Sequence, residues 1–259
     1  MSEGPTTIEE MTRQLLLLGV EPGGVLVVHS AFSRIRPVEN GPLGVIAALR
    51  AAVGPAGTLV LPSMADENDP PFDVLESPCL GMGAIANTFW QMPGVLRSDS
   101  PHSFAAAGPR AAEITAAHPV EIPHGPDSPP GRAHELDSQI LLLGVGHDAN
   151  TTIHVAENIA GVPYRLQTYS TVFREGLPVR VDYAEVDHCC ENFRMMDDWL
   201  EDTGAQRRGK VGHAEARLSR SREVVAAALK RLRDDPLVFL HPLAACGECD
   251  DARRYGRLR

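Results

Sequence analysis

The chain has 259 residues, of which 43% are hydrophobic, and a formal net charge of -10 at pH 7. This charge argues against a protein that follows nucleic-acid phosphates, because such a protein needs a basic face. No apolar run approaches the roughly 20 residues that span a bilayer, and no stretch has the pattern of a secretory signal. We therefore expect one domain over residues 1–259, located in the cytoplasm, that binds neither nucleic acid nor a membrane.

Helical and strand-like segments alternate along the first part of the chain. Residues 7–18 have the spacing of a helix, and the glycine after them ends it. A continuous apolar run at 25–28 predicts a buried strand. A second helix is predicted at 42–53 and a second strand at 58–61. At the other end of the chain, residues 237–240 predict a last apolar strand.

Residues His29 to Phe32 follow the first predicted strand at its carboxyl end, which is where open α/β sheets bind ligands. Ser30 is a candidate nucleophile for a hydrolase, but it lacks the Gly-x-Ser-x-Gly turn that exposes such a serine. Further along, Arg97 could bind a phosphate group bidentately, or it could pair with a neighbouring carboxylate. Ligand binding near these residues is the first functional hypothesis.

Two loop-like segments carry further candidate ligand-binding residues. The first, at about residues 64–80, is acidic in its early part, with Asp66, Glu67, Asp69 and Asp73. Such a run is either a solvated loop or a carboxylate lip that attracts ammonium groups. The second, at 119–130, is rich in proline and contains His124. A loop of this length inside a compact domain is usually functional or disordered, and we interpret it as a wall of the active site.

The most informative stretch runs from Leu141 to Glu157. An apolar, strand-like run ends at Gly144, and from Thr152 onward the spacing is helical. His154 lies three residues before Glu157, so the two side chains share one helix face. A strand, a tight turn and polar side chains at a helix start often form a functional site, although such a junction is just as often only a connection.

The segment HDANTTIHVAE at 147–157 resembles the signature of the aminoglycoside 3-N-acetyltransferase family. Other segments agree with that family in order: GGVLVVHSAF at 23–32, GTLVLPS at 57–63, RS at 97–98, FAAAG at 104–108, SP at 128–129, VGHA at 211–214 and DPLVFL at 235–240. Two more, DHCCE at 187–191 and CGEC at 246–249, resemble the subgroup that acetylates apramycin and gentamicin. One departure is Ser100-Pro101, where the family usually has His-Pro, although His102 lies close by.

The resemblance implies one α/β domain with a mixed central sheet flanked by helices, distinct from the common acetyltransferase superfamily fold. It also implies acetyl-CoA-dependent N-acetylation of the 3-amino group of the 2-deoxystreptamine ring of aminoglycosides, which gives resistance. Acetyl-CoA is expected to contact His29, Ser30, Ala31, Phe32, Arg97, Ser98, Ser103 and Thr151. The aminoglycoside is expected to contact Asp66, Glu67, His124, Asp148, Glu157, Glu185 and Asp187.

Chemistry assigns His154 the role of general base. An aminoglycoside amine is protonated at neutral pH and must lose a proton before it attacks a thioester, for which a base with a pKa near 7 is suited. We expect a carboxylate on the far ring nitrogen, from Asp187 or Glu185, to fix the tautomer. Backbone N–H groups or hydroxyls after Val28 or around Thr151 could stabilise the oxyanion. The acetyl group is expected to transfer directly in a ternary complex.

The five cysteines and their neighbours contain the ligand types of a structural zinc site. From the sequence we choose His188, Cys190, Cys246 and Cys249, because two adjacent cysteines seldom both reach one ion. Zinc would then tie the C-terminal segment 241–259 to the Asp187 region. The alternative is a set of packed, reduced thiols.

Other functions stay open at this stage. The chain could acetylate another cationic amine, or it could be a hydrolase with Ser30 or a cysteine as nucleophile. A zinc hydrolase would use His147, His154 and Asp187 as ligands, whereas a binding protein for cations would need only the acidic loop. Monomer and homodimer are both compatible with the sequence.

Overall fold

Three parallel strands form the centre of the main sheet in the computed structural model, which describes residues 4–65 and 68–256. They are β1 (Val25–Ser30), β2 (Thr58–Pro62) and β5 (Gln139–Leu143). Nearly every residue of these strands is buried, which explains their continuous apolar sequences, because strands covered on both faces have no polar side. Their carboxyl ends lie at the same edge of the sheet, where open α/β folds bind ligands.

Antiparallel strands extend this sheet on both sides and make it mixed. The order across the seven strands is β3 (Leu96–Arg97), β4 (Phe104–Ala107), β2, β1, β5, β9 (Ala214–Arg220) and β8 (Gln206–Val211). Two further strands, β6 (Leu166–Arg174) and β7 (Leu177–Glu185), pair with each other as a long hairpin, and Phe72 forms an isolated bridge to Val172 of β6. The expected α/β fold with a mixed central sheet is confirmed.

Helices cover both faces of the sheet and continue beyond it. Their bounds are α1 (Ile8–Leu18), α2 (Phe32–Ile35), α3 (Gly41–Val53), α4 (Gly83–Phe89), α5 (Ala111–Ile114), α6 (Pro129–Glu135), α7 (Thr152–Ala160), α8 (Met196–Glu201), α9 (Ser221–Asp234) and α10 (Gly247–Gly256). Short 3-10 helices occupy His147–Ala149 and Glu191–Met195. Within the described ranges, none of these helices has the length and apolar character needed to cross a bilayer.

Alternation along β5 divides the core between the two faces of the sheet. Leu141 and Leu143 pack in the cluster that includes α1, α3 and α4, whereas Ile140 and Leu142 face α5 and α6. Each fully buried leucine contributes about 2 kcal/mol relative to an exposed one. A further core, outside the sheet, joins α7, α8, α9 and α10, and this core supports the helix that carries His154.

The predicted last strand at 237–240 is wrong. Asp235 starts a turn in which its carboxylate accepts a hydrogen bond from the Leu237 N–H and its carbonyl accepts one from the Val238 N–H. Leu240 closes a second turn onto the Leu237 carbonyl. The apolar side chains are nevertheless used, because Phe239 and Leu240 are buried in the core beside α9. A short apolar run predicts burial here, but not an extended backbone.

Candidate active site

The turn between β5 and α7 brings His154 to the carboxyl ends of the parallel strands. Gly144 has φ +73°, and a Cβ there would lie 3.1 Å from the Arg34 Cβ, so a glycine suits both the turn and the close packing. The buried His147 side chain contacts Gln206 and Asn150, whose side-chain oxygen accepts from the Thr152 N–H at 3.2 Å. The buried His147 side chain therefore stabilises the turn and is not exposed for contact with a bound molecule.

Both ring nitrogens of His154 have partners. Nδ1 lies 2.6 Å from the Glu157 Oε2, and Nε2 lies 3.4 Å from the Cys190 Sγ. The expectation that Asp187 or Glu185 holds the far nitrogen is wrong, because Glu157, one helical turn away on the same face, occupies that position. Glu157, expected among the substrate contacts, is buried beneath the histidine instead.

Glu157 is the centre of a buried polar network. Its Oε1 accepts hydrogen bonds from the Tyr164 hydroxyl and, at 2.9 Å, from the His188 Nε2. Burial alone would raise the pKa of Glu157, but the hydrogen bonds from His154 and His188 outweigh it and bring that pKa down to about 2. The carboxylate is therefore charged at neutral pH and available to stabilise an imidazolium at His154.

The charge balance around His154 favours its protonated form. Burial lowers the pKa of His154, but the Cys190 sulfur and the Glu157 carboxylate outweigh it and raise the pKa well above the ordinary value of 6.5. For the thiol of Cys190, burial raises the pKa, and the thiol donates to the His188 carbonyl oxygen at 3.1 Å. We attribute the high pKa of His154 chiefly to Glu157, since a protonated thiol carries no charge.

A row of histidine rings connects His154 to Glu185. The His154 ring stacks on His124 with centroids 5.2 Å apart, and His124 meets His102 edge-on at the same separation. The His102 Nε2 lies 3.2 Å from the Glu185 Oε2. Burial holds the pKa of His124 well below 6.5, so this ring is neutral beside a protonated His154. Glu185 thus belongs to the site, although its contact is with His102.

A cavity of about 840 Å³ opens at the carboxyl ends of β1 and β5 and reaches His154. Its lining includes His29, Ser30, Ala31, Phe32 and Thr151, five of the residues expected to contact the cofactor. Cys190 and Asp148 line the same cavity, and Asp148 is paired with Arg194 at 2.8 Å. The structure therefore brings most of the predicted cofactor residues together around one space beside the predicted base.

Two of the expected oxyanion donors are already engaged, whereas a third has no partner. The Ala31 N–H donates to the Leu143 carbonyl, and the Thr152 N–H donates to the Asn150 side chain. The hydroxyl of Thr151 is buried, and no hydrogen-bond partner for it lies among the described residues. Thr151 lines the cavity with its hydroxyl oxygen buried, so this group is the candidate donor of the expected set that has no partner among the described residues.

Arg97 binds the protein's own backbone. Its guanidinium donates to the carbonyl oxygens of Ser63 and Ser77 and to the Ser103 hydroxyl, and its face packs against Trp90 and Phe72. These contacts leave little of the guanidinium for a phosphate, so the structure is against the predicted cofactor contact of Arg97.

The serines predicted beside Arg97 are likewise committed to the protein. The buried Ser98 hydroxyl contacts the His118 Nδ1 and accepts from the Phe104 N–H. Ser103 is also fully buried and donates to the Ser63 carbonyl. Neither serine is among the residues that line the large cavity, so the structure is against a cofactor contact for both.

A second cavity, of about 350 Å³, lies on the other side of His124. Its lining includes the three carboxylates Glu121, Asp182 and Glu185 and the one cation Arg165, an excess of negative charge that suits a cationic ligand. In the acidic loop, Asp69 accepts from the Tyr169 hydroxyl, and Asp73 accepts from the Leu75 and Glu76 N–H groups. The predicted substrate residues Asp66 and Glu67 lie outside the described residues. The carboxylate of Asp187, another predicted substrate residue, accepts a hydrogen bond from the His188 N–H at 2.8 Å.

The predicted zinc ligands separate into two groups. Cys246 and Cys249 lie with Cys189 and His241, whereas His188 and Cys190 lie with His154. The predicted ligand set is therefore wrong, because adjacent residues 189 and 190 contact different clusters and sequence spacing cannot show which thiol faces which way. The set considered for a zinc hydrolase fails as well, since His147 contacts Gln206 and Asn150.

Sequence reasoning missed Tyr164 and gave His188 and Cys190 a different role, that of zinc ligands. Tyr164 and His188 on Glu157, and Cys190 on His154, come from segments that only the tertiary fold brings together. The i, i+3 spacing of His154 and Glu157 was the signal that could have identified the carboxylate partner, because such pairs meet on one helix face.

Known proteins resemble this chain over most of its length. The sequence pattern of the family described as aminoglycoside 3-N-acetyltransferase matches residues 27–233. The aminoglycoside N(3)-acetyltransferase IV of a Salmonella species is 56% identical over 235 residues, which cover 90% of each chain.

Two solved structures have the same fold, and both are histidine-to-alanine variants of the aminoglycoside acetyltransferase AAC(3)-IVa. The complex with a gentamicin is 54% identical with a TM-score of 0.95, and the match covers 98% of this chain and 99% of the other. The complex with apramycin is 53% identical with a TM-score of 0.90, and the match covers 96% of this chain and 100% of the other.

Proposed function

Because the chain belongs to the aminoglycoside 3-N-acetyltransferase family, we propose that it acetylates the 3-amino group of the 2-deoxystreptamine ring of aminoglycosides. Acetyl-CoA is the donor, and the product is the N-acetylated antibiotic, whose formation gives resistance. The observation that carries the proposal is the buried His154–Glu157 pair at the edge of a cavity large enough for an extended ligand. Acetyl transfer to a cationic amine requires a general base, a cavity for the acetyl donor and a neighbouring cavity lined by carboxylates for the amine.

Acetyl-CoA occupies the 840 Å³ cavity in this proposal. The contacts come from the end of β1, at His29 to Phe32, and from Thr151 at the start of α7. Burial, with a smaller contribution from His147, lowers the pKa of His29 to about 4, so this residue is a neutral contact rather than a phosphate-binding cation. The thioester lies where His154 and the Thr151 hydroxyl meet the cavity.

The reaction needs one base and one oxyanion donor. The ammonium group releases one proton to solvent, and the free amine nitrogen attacks the thioester carbonyl carbon while the Thr151 hydroxyl donates to the oxyanion. His154, in its neutral form, takes the second proton from this nitrogen at Nε2, and the charged Glu157 stabilises the imidazolium that forms. The C–S bond breaks as the carbonyl re-forms, and the departing coenzyme A thiolate receives the proton held by His154.

The aminoglycoside lies on the side of His154 that carries carboxylates. Structures of AAC(3)-IVa contain apramycin and gentamicin, and we extend both substrates to this chain. Glu185, which lines the smaller cavity together with His124, is the carboxylate that we assign to an ammonium group. The contacts predicted for Asp148, which lines the large cavity, and for Asp187 stay predictions. The contacts predicted between the aminoglycoside and Asp66 and Glu67, in the acidic loop at about residues 64–80, stay predictions.

Three properties beyond the reaction are also part of this proposal: the location, the domain organisation and the oligomeric state. We assign the enzyme to the cytoplasm, because acetyl-CoA is made there and the five cysteines are free thiols in the structure. We treat residues 1–259 as one domain, and either a monomer or a homodimer is compatible with a site whose assigned residues all come from one chain.

The proposed function is tested with purified protein, acetyl-CoA and an aminoglycoside. We expect release of coenzyme A thiol only when apramycin or gentamicin is added, and a product whose 3-nitrogen carries the acetyl group by NMR spectroscopy. A product acetylated at another amine would contradict the assigned position. Thiol release without an acceptor would favour a hydrolase instead.

A further inference from the structure

A compact group of three thiols and one imidazole lies beside the active site. The Cys189 Sγ is 3.6 Å from the Cys249 Sγ and 3.3 Å from the His241 Nδ1. The Cys249 Sγ is 3.6 Å from the same nitrogen, and one atom of Cys246 completes a set whose members all lie within 4.8 Å of one another. The four atoms are therefore close enough to share one ligand.

The separations match the edges of a tetrahedron around zinc. Zn–S bonds of about 2.3 Å and Zn–N bonds of about 2.0–2.1 Å place neighbouring ligand atoms about 3.5–3.8 Å apart. The measured separations of 3.3, 3.6 and 3.6 Å lie close to this range. A disulfide would instead require the two sulfur atoms to be about 2.05 Å apart. Three thiols and a histidine also form one of the usual ligand sets of structural zinc.

We propose that Cys189, His241, Cys246 and Cys249 bind one Zn²⁺ ion in a closed, structural site. The site differs from the one that the sequence suggested, and it takes no part in the acetyl transfer. Cys246 and Cys249 supply a Cys-x-x-Cys pair at the start of α10, and His241 directly follows the turns that replace the expected strand. Cys189 comes from the loop that follows β7.

Surrounding contacts orient the histidine ligand. The His241 Nε2, on the side away from the thiols, lies 3.6 Å from the Glu191 carboxylate, and the carbonyl of His241 accepts from Arg253 on α10. Carboxylates placed on the outer nitrogen of a zinc-bound histidine fix its tautomer and strengthen it as a ligand. The cluster thus has four ligand atoms and a carboxylate that orients the histidine among them.

The other candidate group does not carry this proposal. His154, His188 and Cys190 also come close together, but the His154 Nδ1 and the His188 Nε2 both contact Glu157. That group belongs to the catalytic network already described.

Zinc at this place would fix one wall of the active site. Cys189 is bonded to Cys190, whose Sγ touches the His154 ring and whose backbone has φ +59°, a conformation that costs energy for a residue with a side chain. Anchoring Cys189 to α10 holds this strained segment in place. The C-terminal helix is thereby linked to the catalytic histidine through two adjacent cysteines.

The experiment is a metal analysis of the whole enzyme, independent of its activity. Protein purified without chelators, then incubated with zinc chloride and desalted, is expected to hold about one zinc per chain by mass spectrometry. Cys246→Ser should lose most of this metal. Cys79→Ser is the matched control, because Cys79 is a buried free cysteine outside the group, and it should retain the metal.

A second measurement keeps the test valid if Cys246→Ser does not fold. Wild-type protein refilled with Co²⁺ should show the intense visible bands of a tetrahedral thiolate site, and a mercurial reagent should release its zinc. Wild-type protein without zinc, or equal zinc in Cys246→Ser and wild type, would overturn the proposal. A Cys189–Cys249 disulfide, detected by thiol counting in denaturant, would overturn it as well.

Discussion

The Cys190 Sγ lies 3.4 Å from the His154 Nε2, at the edge of the large cavity. A thiol beside an imidazole that is paired with a carboxylate resembles the arrangement of a nucleophilic cysteine. Here the imidazole favours its protonated form, while burial raises the pKa of the Cys190 thiol and keeps it neutral. The same geometry is therefore compatible with a thiol that only flanks the base, and experiment can separate the two roles.

We predict that Cys190→Ser retains most of the acetyltransferase activity, because the amine attacks the thioester directly. Intact-protein mass spectrometry after mixing wild type with acetyl-CoA alone should show no acetyl adduct. An adduct on Cys190 that disappears when aminoglycoside is added would establish a covalent intermediate and exclude direct transfer. Cys79→Ser controls for the general effect of losing a cysteine, because Cys79 is a free, buried cysteine outside the group of His154, His188 and Cys190.

Replacement of the carboxylate under His154 should change both the rate and its pH dependence. Glu157→Gln should lower kcat by about 100-fold or more, because the amide cannot stabilise the imidazolium. The pKa of His154 falls when the negative charge is removed. Since the reaction needs neutral His154, the acid limb of log kcat/KM should therefore move to lower pH. An unchanged limb would show that Glu157 does not set this pKa.

Glu185→Gln is the matched carboxylate variant, since Glu185 contacts His102 instead of His154. We expect a higher KM for the aminoglycoside, because one negative charge of the smaller cavity is lost, and a nearly unchanged KM for acetyl-CoA. Steady-state kinetics with each substrate varied in turn measures both values. An increase confined to the KM for acetyl-CoA would remove Glu185 from the aminoglycoside site.

Arg97→Ala should reduce stability rather than cofactor binding. The side chain holds the Ser63 and Ser77 carbonyls together, so we expect a loss of ~2 kcal/mol in the free energy of unfolding. Urea denaturation measures this loss. Arg110→Ala is the control, because its exposed pair with Glu113 contributes at most about 1 kcal/mol. A large rise in the KM for acetyl-CoA, with the free energy of unfolding unchanged, would support the predicted contact between Arg97 and a phosphate group.

The sequence was sufficient to predict two buried strands of the central sheet and the helix that carries His154. Continuous apolar runs such as 25–28 and 58–61 have few alternatives to buried strands, and the helix after Thr152 follows from its spacing. The residues His29 to Phe32, predicted to lie where a ligand binds, line the large cavity because the ends of parallel strands lie at one edge. These predictions depend on local pattern, which the sequence displays directly.

The partners of each polar side chain could not be read in the same way. The adjacent residues Cys189 and Cys190 point into different clusters, and the left-handed backbone at Cys190 that separates them has no sequence signal. Arg97 has the chemistry of a phosphate ligand, but the carbonyls that it binds come from 20 and 34 residues away. Such contacts are set by tertiary packing, so spacing alone assigned the wrong carboxylate to His154 and the wrong zinc ligands. The cofactor contact of Arg97 stays a prediction that the contacts within the protein argue against.

The most direct test of the central claim, that His154 is the general base, is the rate of aminoglycoside-dependent thiol release by His154→Ala. With acetyl-CoA and apramycin saturating, and folding checked by circular dichroism, we predict a kcat lower by about 100-fold to 10,000-fold. A folded His154→Ala variant with a kcat within a few-fold of the wild-type value would contradict the claim and assign the proton transfer to another group.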